Sequence, residues 1–120
     1  MIPSLSDVLE AHAWLTRRLS LSGFINASAV AAALDEAQEL APALGDAAAL
    51  FYALSRRPKA MRDAWAPLVD TLAVNAAAFE GLRLDAAGRA ELRTLRTAIA
   101  GGNSSPEQVR AWFDARKTSP

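Results

Sequence analysis

The side chains best suited to chemistry in this chain are four cations in one short stretch, Arg56, Arg57, Lys59 and Arg62, followed by Asp63. Guanidinium and ammonium groups bind phosphates and carboxylates, and a guanidinium does so in bidentate fashion. Because like charges this close repel one another, a compact fold should hold them only beside water, an acidic partner or a bound anion. We therefore predict a site for an anion or a protein partner, with Arg57 and Arg62 as the principal contacts.

Other interpretations of the same residue types stay open. The stretch is a solvated turn if nothing binds it, and Asp63 suits either a helix cap or a metal contact. The single histidine, His12, falls on an apolar helical face, where a structural, hydrogen-bonded role is expected. With one histidine and no cysteine, thiolate chemistry is excluded and a zinc site is not expected. We predict no catalytic residue, no metal site and no cofactor.

Length and charge narrow the class of protein. The 120 residues suit a single domain over 1–120. Thirteen basic and thirteen acidic residues cancel, so no overall positive field favours nucleic acid or an anionic membrane. No apolar run is long enough to cross a bilayer, and the N-terminus lacks a signal-peptide pattern. We expect a cytoplasmic protein that binds neither nucleic acid nor membrane.

Helical periodicity runs through almost the whole chain and predicts an all-α, compact bundle of about six short helices. The helices are expected to begin near Ser4, after the loop at 22–26, at Asp46, near Ala64, at Asp85 and at Ser105. The signal at Ser105 is the strongest, because Pro106 suits a first turn and Gln108 completes a capping box. Trp112 should dock that last helix on the core. The tail from Lys117 is expected to fray.

The helix that starts near Ala64 carries the longest stripe of apolar and small residues, so we predict that it is the central helix. Arg89, Arg93 and Arg96 recur at helical spacing further along the chain. They are expected to form an exposed face that pairs with Glu91 and neighbouring acids.

Five segments, read in order, carry a family resemblance: 5–12, an acidic helix with a histidine; 31–38, an alanine-rich helix; 48–56, 79–84 and 100–112. These segments resemble parts of the death-on-curing (Doc) toxins of the Fic fold. Segments 5–12 and 31–38 resemble the first two helices of that family, and 48–56 resembles the helix before its active-site loop. Segment 79–84 resembles a later helix end and turn, and 100–112 resembles the closing serine-capped helix. The resemblance covers nearly the whole chain. It implies a bacterial, toxin–antitoxin-derived protein with a Fic/Doc-like fold.

The segment that should hold the family's active site departs from its pattern. The family's loop reads His-Pro-Phe-x-Asp/Glu-Gly-Asn-Lys/Arg-Arg, with the His as base, the acid on magnesium and the Gly-Asn with an Arg around phosphate. With Pro58 on the family's Pro, Arg57 replaces the base, Met61 the metal ligand and Arg62-Asp63 the Gly-Asn, and a shift of one residue is no better. An arginine cannot act as a base because it stays protonated. The resemblance therefore does not imply the family's transfer reaction.

Two functions follow from this resemblance and this departure. The favoured one is a catalytically inactive domain that acts as a protein-binding module, because relatives of the toxin bind the helical tail of an antitoxin in a groove. Its partner would be an antitoxin-like helix or a second copy of the chain, with a bound anion as a further occupant. The alternative is a divergent Fic-type enzyme that transfers phosphate or a nucleotide to a protein, with Arg57, Lys59 and Arg62 clamping the nucleotide and Asp63 contacting the metal.

Overall fold

A computed structural model describes residues 1–116 of the chain, which form six α-helices and contain no β-strand. The helices are α1 (Leu5–Leu19), α2 (Ala27–Leu44), α3 (Asp46–Ser55), α4 (Trp65–Phe79), α5 (Ala86–Ala100) and α6 (Pro106–Arg116). The predicted all-α bundle is thus confirmed, and the prediction about the tail from Lys117 lies outside the described residues. None of the helices within 1–116 combines the length and apolar composition that a bilayer span requires.

Two helix starts follow the local sequence closely. At the start of α1, the Asp7 N–H donates to Ser4 Oγ at 3.1 Å, and the Ser4 N–H donates to the Asp7 carboxylate at 3.3 Å. At the start of α6, Ser105 and Gln108 make the same reciprocal pair at 3.2 and 2.8 Å. Each capping box satisfies N–H groups that a helix end would otherwise leave without a partner.

The start of α3 depends on a residue far along the chain. Asp46, the predicted cap, is the first residue of the helix, and Gly45 occupies the N-cap position with φ +85°. The Ala47 N–H donates instead to Glu80 Oε1 at 3.2 Å, and Glu80 lies just after α4. The end of α4 is thereby tied to the start of α3.

The centre of the bundle is occupied by α3. Eight of its ten residues are buried, whereas five of the fifteen residues of α4 are. Of the other helices, α2, α4, α5 and α6 pack against α3, with α2 and α4 in the most extensive contact, and α1 packs against α2 and α4. The helix that was predicted to be central, α4, begins at Trp65 as expected but lies against α3 and keeps Thr71 and Asn75 exposed. A short helix that is apolar on every side fits the centre better than a longer one with a polar face.

One contiguous hydrophobic core draws side chains from all six helices. Phe51 of α3 is fully buried and meets Phe113 of α6 edge to face, with ring centroids 6.0 Å apart. Trp112, expected to dock α6, is only half-buried. The last helix is therefore held on the core mainly by Phe113.

Candidate functional site

The cationic stretch forms the connection between α3 and α4. Pro58–Ala60 and Arg62–Ala64 are single-turn 3₁₀ helices, and Met61 between them is fully buried. The Ala60 carbonyl accepts a hydrogen bond of 2.7 Å from the Asn26 N–H, which fastens the connection to the start of α2. A buried methionine and a backbone hydrogen bond hold the turn, so its charged side chains are positioned by the core.

Glu36 of α2 neutralises part of the charge. Its carboxylate accepts from Arg56 through one oxygen and from Arg57 through the other, the latter at 2.8 Å. Arg57 also donates to the Ala53 carbonyl at 2.8 Å, and the Arg56 guanidinium lies 5.4 Å from the Tyr52 ring centre. Two guanidiniums thus share one carboxylate and keep a net positive charge. Glu36 is 20 residues from Arg56, and no spacing rule in the sequence links them.

Arg56, Arg57 and Lys59 line one pocket of about 410 Å³, with Asn26 on its wall; we call this the basic pocket. Lys59 is exposed and makes no ion pair with any residue in 1–116. Of the three cations, Arg56 and Arg57 pair with Glu36, which does not itself line the pocket, and Lys59 keeps its full charge. An anion can bind here without displacing an existing partner of Lys59.

The N-terminus of α2 reaches the same pocket. Asn26 is the N-cap of α2, and its side-chain oxygen accepts from the Ala29 N–H at 3.1 Å. Both residues line the basic pocket, and the first turn of α2 contains no acidic residue. The partial positive charge of a helix N-terminus therefore adds to the field of the three cations.

Arg62 and Asp63 lie outside the basic pocket. Arg62 has the left-handed φ of +41°, and its guanidinium lies 4.4 Å from the centre of the Phe24 ring. The Asp63 carboxylate accepts from the Ser22 N–H at 3.0 Å. Both side chains contact the loop between α1 and α2. Of the five predicted site residues, the structure brings three together and places two on another surface.

The separation of Arg62 and Asp63 from the residues of the basic pocket bears on the enzyme alternative. A rebuilt nucleotide site would need Arg57, Lys59 and Arg62 around one phosphate group with Asp63 at a metal. The structure places Arg62 and Asp63 apart from the other two. Within 1–116, no three His, Asp or Glu side chains lie together as ligands for a metal ion.

His12 is buried in α1, at 4% exposure, but the hydrogen bond expected for it is not found at Nε2, which has no partner within 1–116. It does not line the basic pocket. Its burial fits the apolar face on which the sequence placed it, whereas the expected hydrogen bond is not found at Nε2.

A second ion pair was missed by the sequence analysis. Arg96 of α5 is buried and donates to both oxygens of Asp70 of α4, at 2.9 and 2.8 Å, and its guanidinium lies 5.3 Å from the Trp65 ring centre. The prediction of an exposed Arg96 was therefore wrong. Glu91, its expected partner, pairs with Arg116. The one available signal was Asp70 itself, the one charged residue of α4.

Comparison of the chain with protein-family models, with curated proteins and with solved structures gives no match in any of the three. The resemblance to the death-on-curing toxins therefore rests on the five segments quoted above. The all-α fold and the basic pocket rest on the structure.

Proposed function

We propose that this chain is a catalytically inactive, Fic/Doc-like domain that acts as a protein-binding module in the bacterial cytoplasm, and that an acidic segment of its partner enters the basic pocket. The partner is an antitoxin-like helix or a second copy of the chain. The observation that carries the proposal is the charge of the pocket, where Arg56 and Arg57 share the carboxylate of Glu36 and Lys59 pairs with no acid in 1–116.

The donors of the basic pocket suit a carboxylate. Glu36 occupies one side of two guanidiniums, and each guanidinium has five N–H donors, so donors remain for a second acid. The Lys59 ammonium adds three more donors, none of them in an ion pair within 1–116. A glutamate or aspartate of a partner would bind here through charge-assisted hydrogen bonds.

The residue types at the pocket also support a role without catalysis. Its lining within 1–116 includes no histidine, cysteine, aspartate or glutamate. General base catalysis needs a group that can accept a proton within hydrogen-bond reach of the substrate. The two arginines can hold an anion but cannot take a proton, because a guanidinium stays protonated.

The first prediction concerns Lys59. We expect Lys59→Glu to weaken binding of a labelled hexaglutamate peptide at least about tenfold, because it replaces a charge-assisted hydrogen bond with repulsion. The matched control is Arg62→Glu, which makes the same charge change in the same turn outside the pocket and should alter the affinity by less than about twofold. Fluorescence anisotropy at physiological salt gives both values. Equal losses in the two variants would show that net charge alone drives binding.

Inorganic phosphate separates a protein-binding pocket from a simple anion site. The melting temperature is measured in sodium phosphate and in sodium chloride at equal ionic strength, for the original chain and for Lys59→Glu. A phosphate-specific rise that Lys59→Glu removes, together with no binding of the peptide, would replace the protein-binding proposal with an anion site. If the hexaglutamate peptide binds and Lys59→Glu weakens that binding, the protein-binding proposal is supported, with or without an effect of phosphate on the melting temperature.

The second prediction concerns catalysis. Purified protein incubated with cell lysate and labelled ATP, GTP or CTP should transfer no label to protein above background, because the turn has neither the family's base nor its metal ligand. Gel autoradiography measures the transfer. Labelling that disappears in an Arg62→Ala variant would establish the enzyme alternative instead.

A further inference from the structure

A cleft of about 280 Å³ lies between α4 and α5 and shares no lining residue with the basic pocket. Three residues of α4 carry a carboxyl, hydroxyl or amide group, Asp70, Thr71 and Asn75, and all three line this cleft. Arg89 and Arg93 of α5 line it as well. Its volume is close to the lower limit for small-molecule sites, which span about 300–1,000 Å³. We call it the α4–α5 cleft.

The charge around the cleft is positive. Asp70 accepts two hydrogen bonds, of 2.9 and 2.8 Å, from the guanidinium of buried Arg96. Burial raises the pKa of the Asp70 carboxyl, and the charges of Arg96 and Arg93 lower that pKa by less. Arg89 and Arg93 are exposed and make no ion pair within 1–116. Three guanidiniums thus stand against one carboxylate, which leaves two positive charges unmatched.

The two arginines of the cleft are spaced for two acids. Arg89 and Arg93 are four residues apart on α5, so they lie on one face with about 5–6 Å between their Cβ atoms and repel each other. The acids on either side of Arg89 are engaged elsewhere, because Asp85 caps the start of α5 and Glu91 pairs with Arg116. Each guanidinium can hold one carboxylate through two parallel hydrogen bonds. Two carboxylates a few ångströms apart would therefore match this pair better than one.

The wall formed by α4 offers hydrogen-bonding groups to a small ligand. The Thr71 hydroxyl donates to the Pro67 carbonyl at 2.7 Å, and the lone pairs of its oxygen can accept a further hydrogen bond. The exposed Asn75 amide makes no side-chain hydrogen bond within 1–116 and has two donors and an acceptor. Leu92 is fully buried and closes the bottom of the cleft, and half-buried Val74 adds a limited apolar surface. A ligand here would therefore meet mainly polar walls.

We propose that the α4–α5 cleft binds a short dicarboxylic acid that carries a hydroxyl group. One carboxylate would pair with Arg89 and the other with Arg93, and the hydroxyl would form hydrogen bonds with Thr71 and Asn75. A monocarboxylate would leave one of the two guanidiniums unmatched. The small volume suits a ligand of this size and not a helix of another protein. This site is independent of the protein-binding role proposed above.

The test is titration calorimetry with L-malate, a short dicarboxylate with one hydroxyl group, at constant ionic strength. Arg89→Gln removes one positive charge, and we expect it to weaken binding at least about tenfold because charge-assisted hydrogen bonds are lost. The matched control, Arg17→Gln on the exposed face of α1, should change the affinity by less than about twofold. Thermal melts without ligand verify that both variants fold.

Three other probes test which parts of the ligand are recognised. Lactate has the hydroxyl but one carboxylate, and sulfate is a dianion without carboxylates, so each should bind at least about tenfold more weakly than malate. Succinate lacks the hydroxyl and should bind at least about threefold more weakly. Thr71→Val keeps the shape of the side chain without its hydroxyl, and it should reduce the preference for malate over succinate.

Several outcomes would overturn the proposal. These are no binding of malate, binding of any of the three probes as tight as that of malate, and equal losses of affinity in Arg89→Gln and Arg17→Gln. Lys59→Glu should leave the affinity for malate unchanged within about twofold. If it alone abolishes binding, malate occupies the basic pocket, and the cleft proposal fails while the proposed function stands.

Discussion

Replacing Phe113 by alanine is expected to lower the free energy of unfolding by about 3–5 kcal/mol, the range for loss of a buried phenylalanine. Phe113 is 2% exposed and packs edge to face on Phe51, a fully buried residue of the central helix α3. Its removal would open a cavity between α3 and α6, and surrounding side chains refill such cavities only in part. Urea denaturation followed by circular dichroism measures the loss.

Trp112→Ala is the matched control for this prediction. Trp112 is half-buried, 5.0 Å from the Phe113 ring and 4.2 Å from the Arg116 guanidinium, so part of its surface already contacts water. We expect a loss of about 1–2 kcal/mol, in proportion to the smaller apolar area that becomes exposed. A loss equal to or larger than that of Phe113→Ala would show that α6 docks through Trp112.

The second large effect is expected at Asp70. Asp70→Ala should lower the free energy of unfolding by about 3 kcal/mol, because it leaves the buried Arg96 guanidinium without its acid. Arg96 has 9% of its side chain exposed, and its Nε already lacks a partner within 1–116. Among the contacts described within 1–116, that of the Trp65 ring, 5.3 Å away, would remain beside the charge. Chemical denaturation at neutral pH measures the loss.

A double variant distinguishes the effect of leaving the Arg96 charge unpaired from the effect of losing side-chain packing at position 70. Asp70→Leu with Arg96→Leu removes both charges and keeps apolar volume at the contact between α4 and α5. Because a buried ion pair contributes little net stability, the double variant should be at least about 1 kcal/mol more stable than Asp70→Ala. If it is no more stable, the loss in Asp70→Ala comes from packing.

Asp70 also makes the free energy of unfolding depend on pH, and the direction of the dependence follows from its pKa. Burial raises the pKa of the Asp70 carboxyl above its ordinary value of 3.8, and the positive charges of Arg96 and Arg93 offset only part of that effect. At a pH between the pKa of Asp70 in the unfolded chain and its higher pKa in the folded protein, the folded protein keeps a proton that the unfolded chain has released. The free energy of unfolding should therefore decrease as pH rises through this interval. Asp70→Asn should remove this contribution, and denaturation at a series of acidic pH values would detect it.

The sequence by itself determined the six helices and several of their starts. The capping box at Ser105, the helix starts near Ser4 and Ala64 and the apolar periodicity were all predicted and are all present. These features depend on residues within one or two turns of each other, so the local pattern contains the necessary information. The cationic stretch was also visible, since it needs only residue types.

Only the tertiary structure decided which of these charges act together. It paired Glu36 with Arg57 across 21 residues, placed Lys59 in the basic pocket and directed Arg62 towards Phe24.

The tertiary structure also decided which distant residues pair between the other helices. Glu80 reaches the start of α3 from 33 residues away, and Asp70 holds Arg96 across 26. Such partners are chosen by how the helices pack and by the turns between them. A sequence pattern specifies which face of a helix is apolar, but not which neighbouring helix that face will meet.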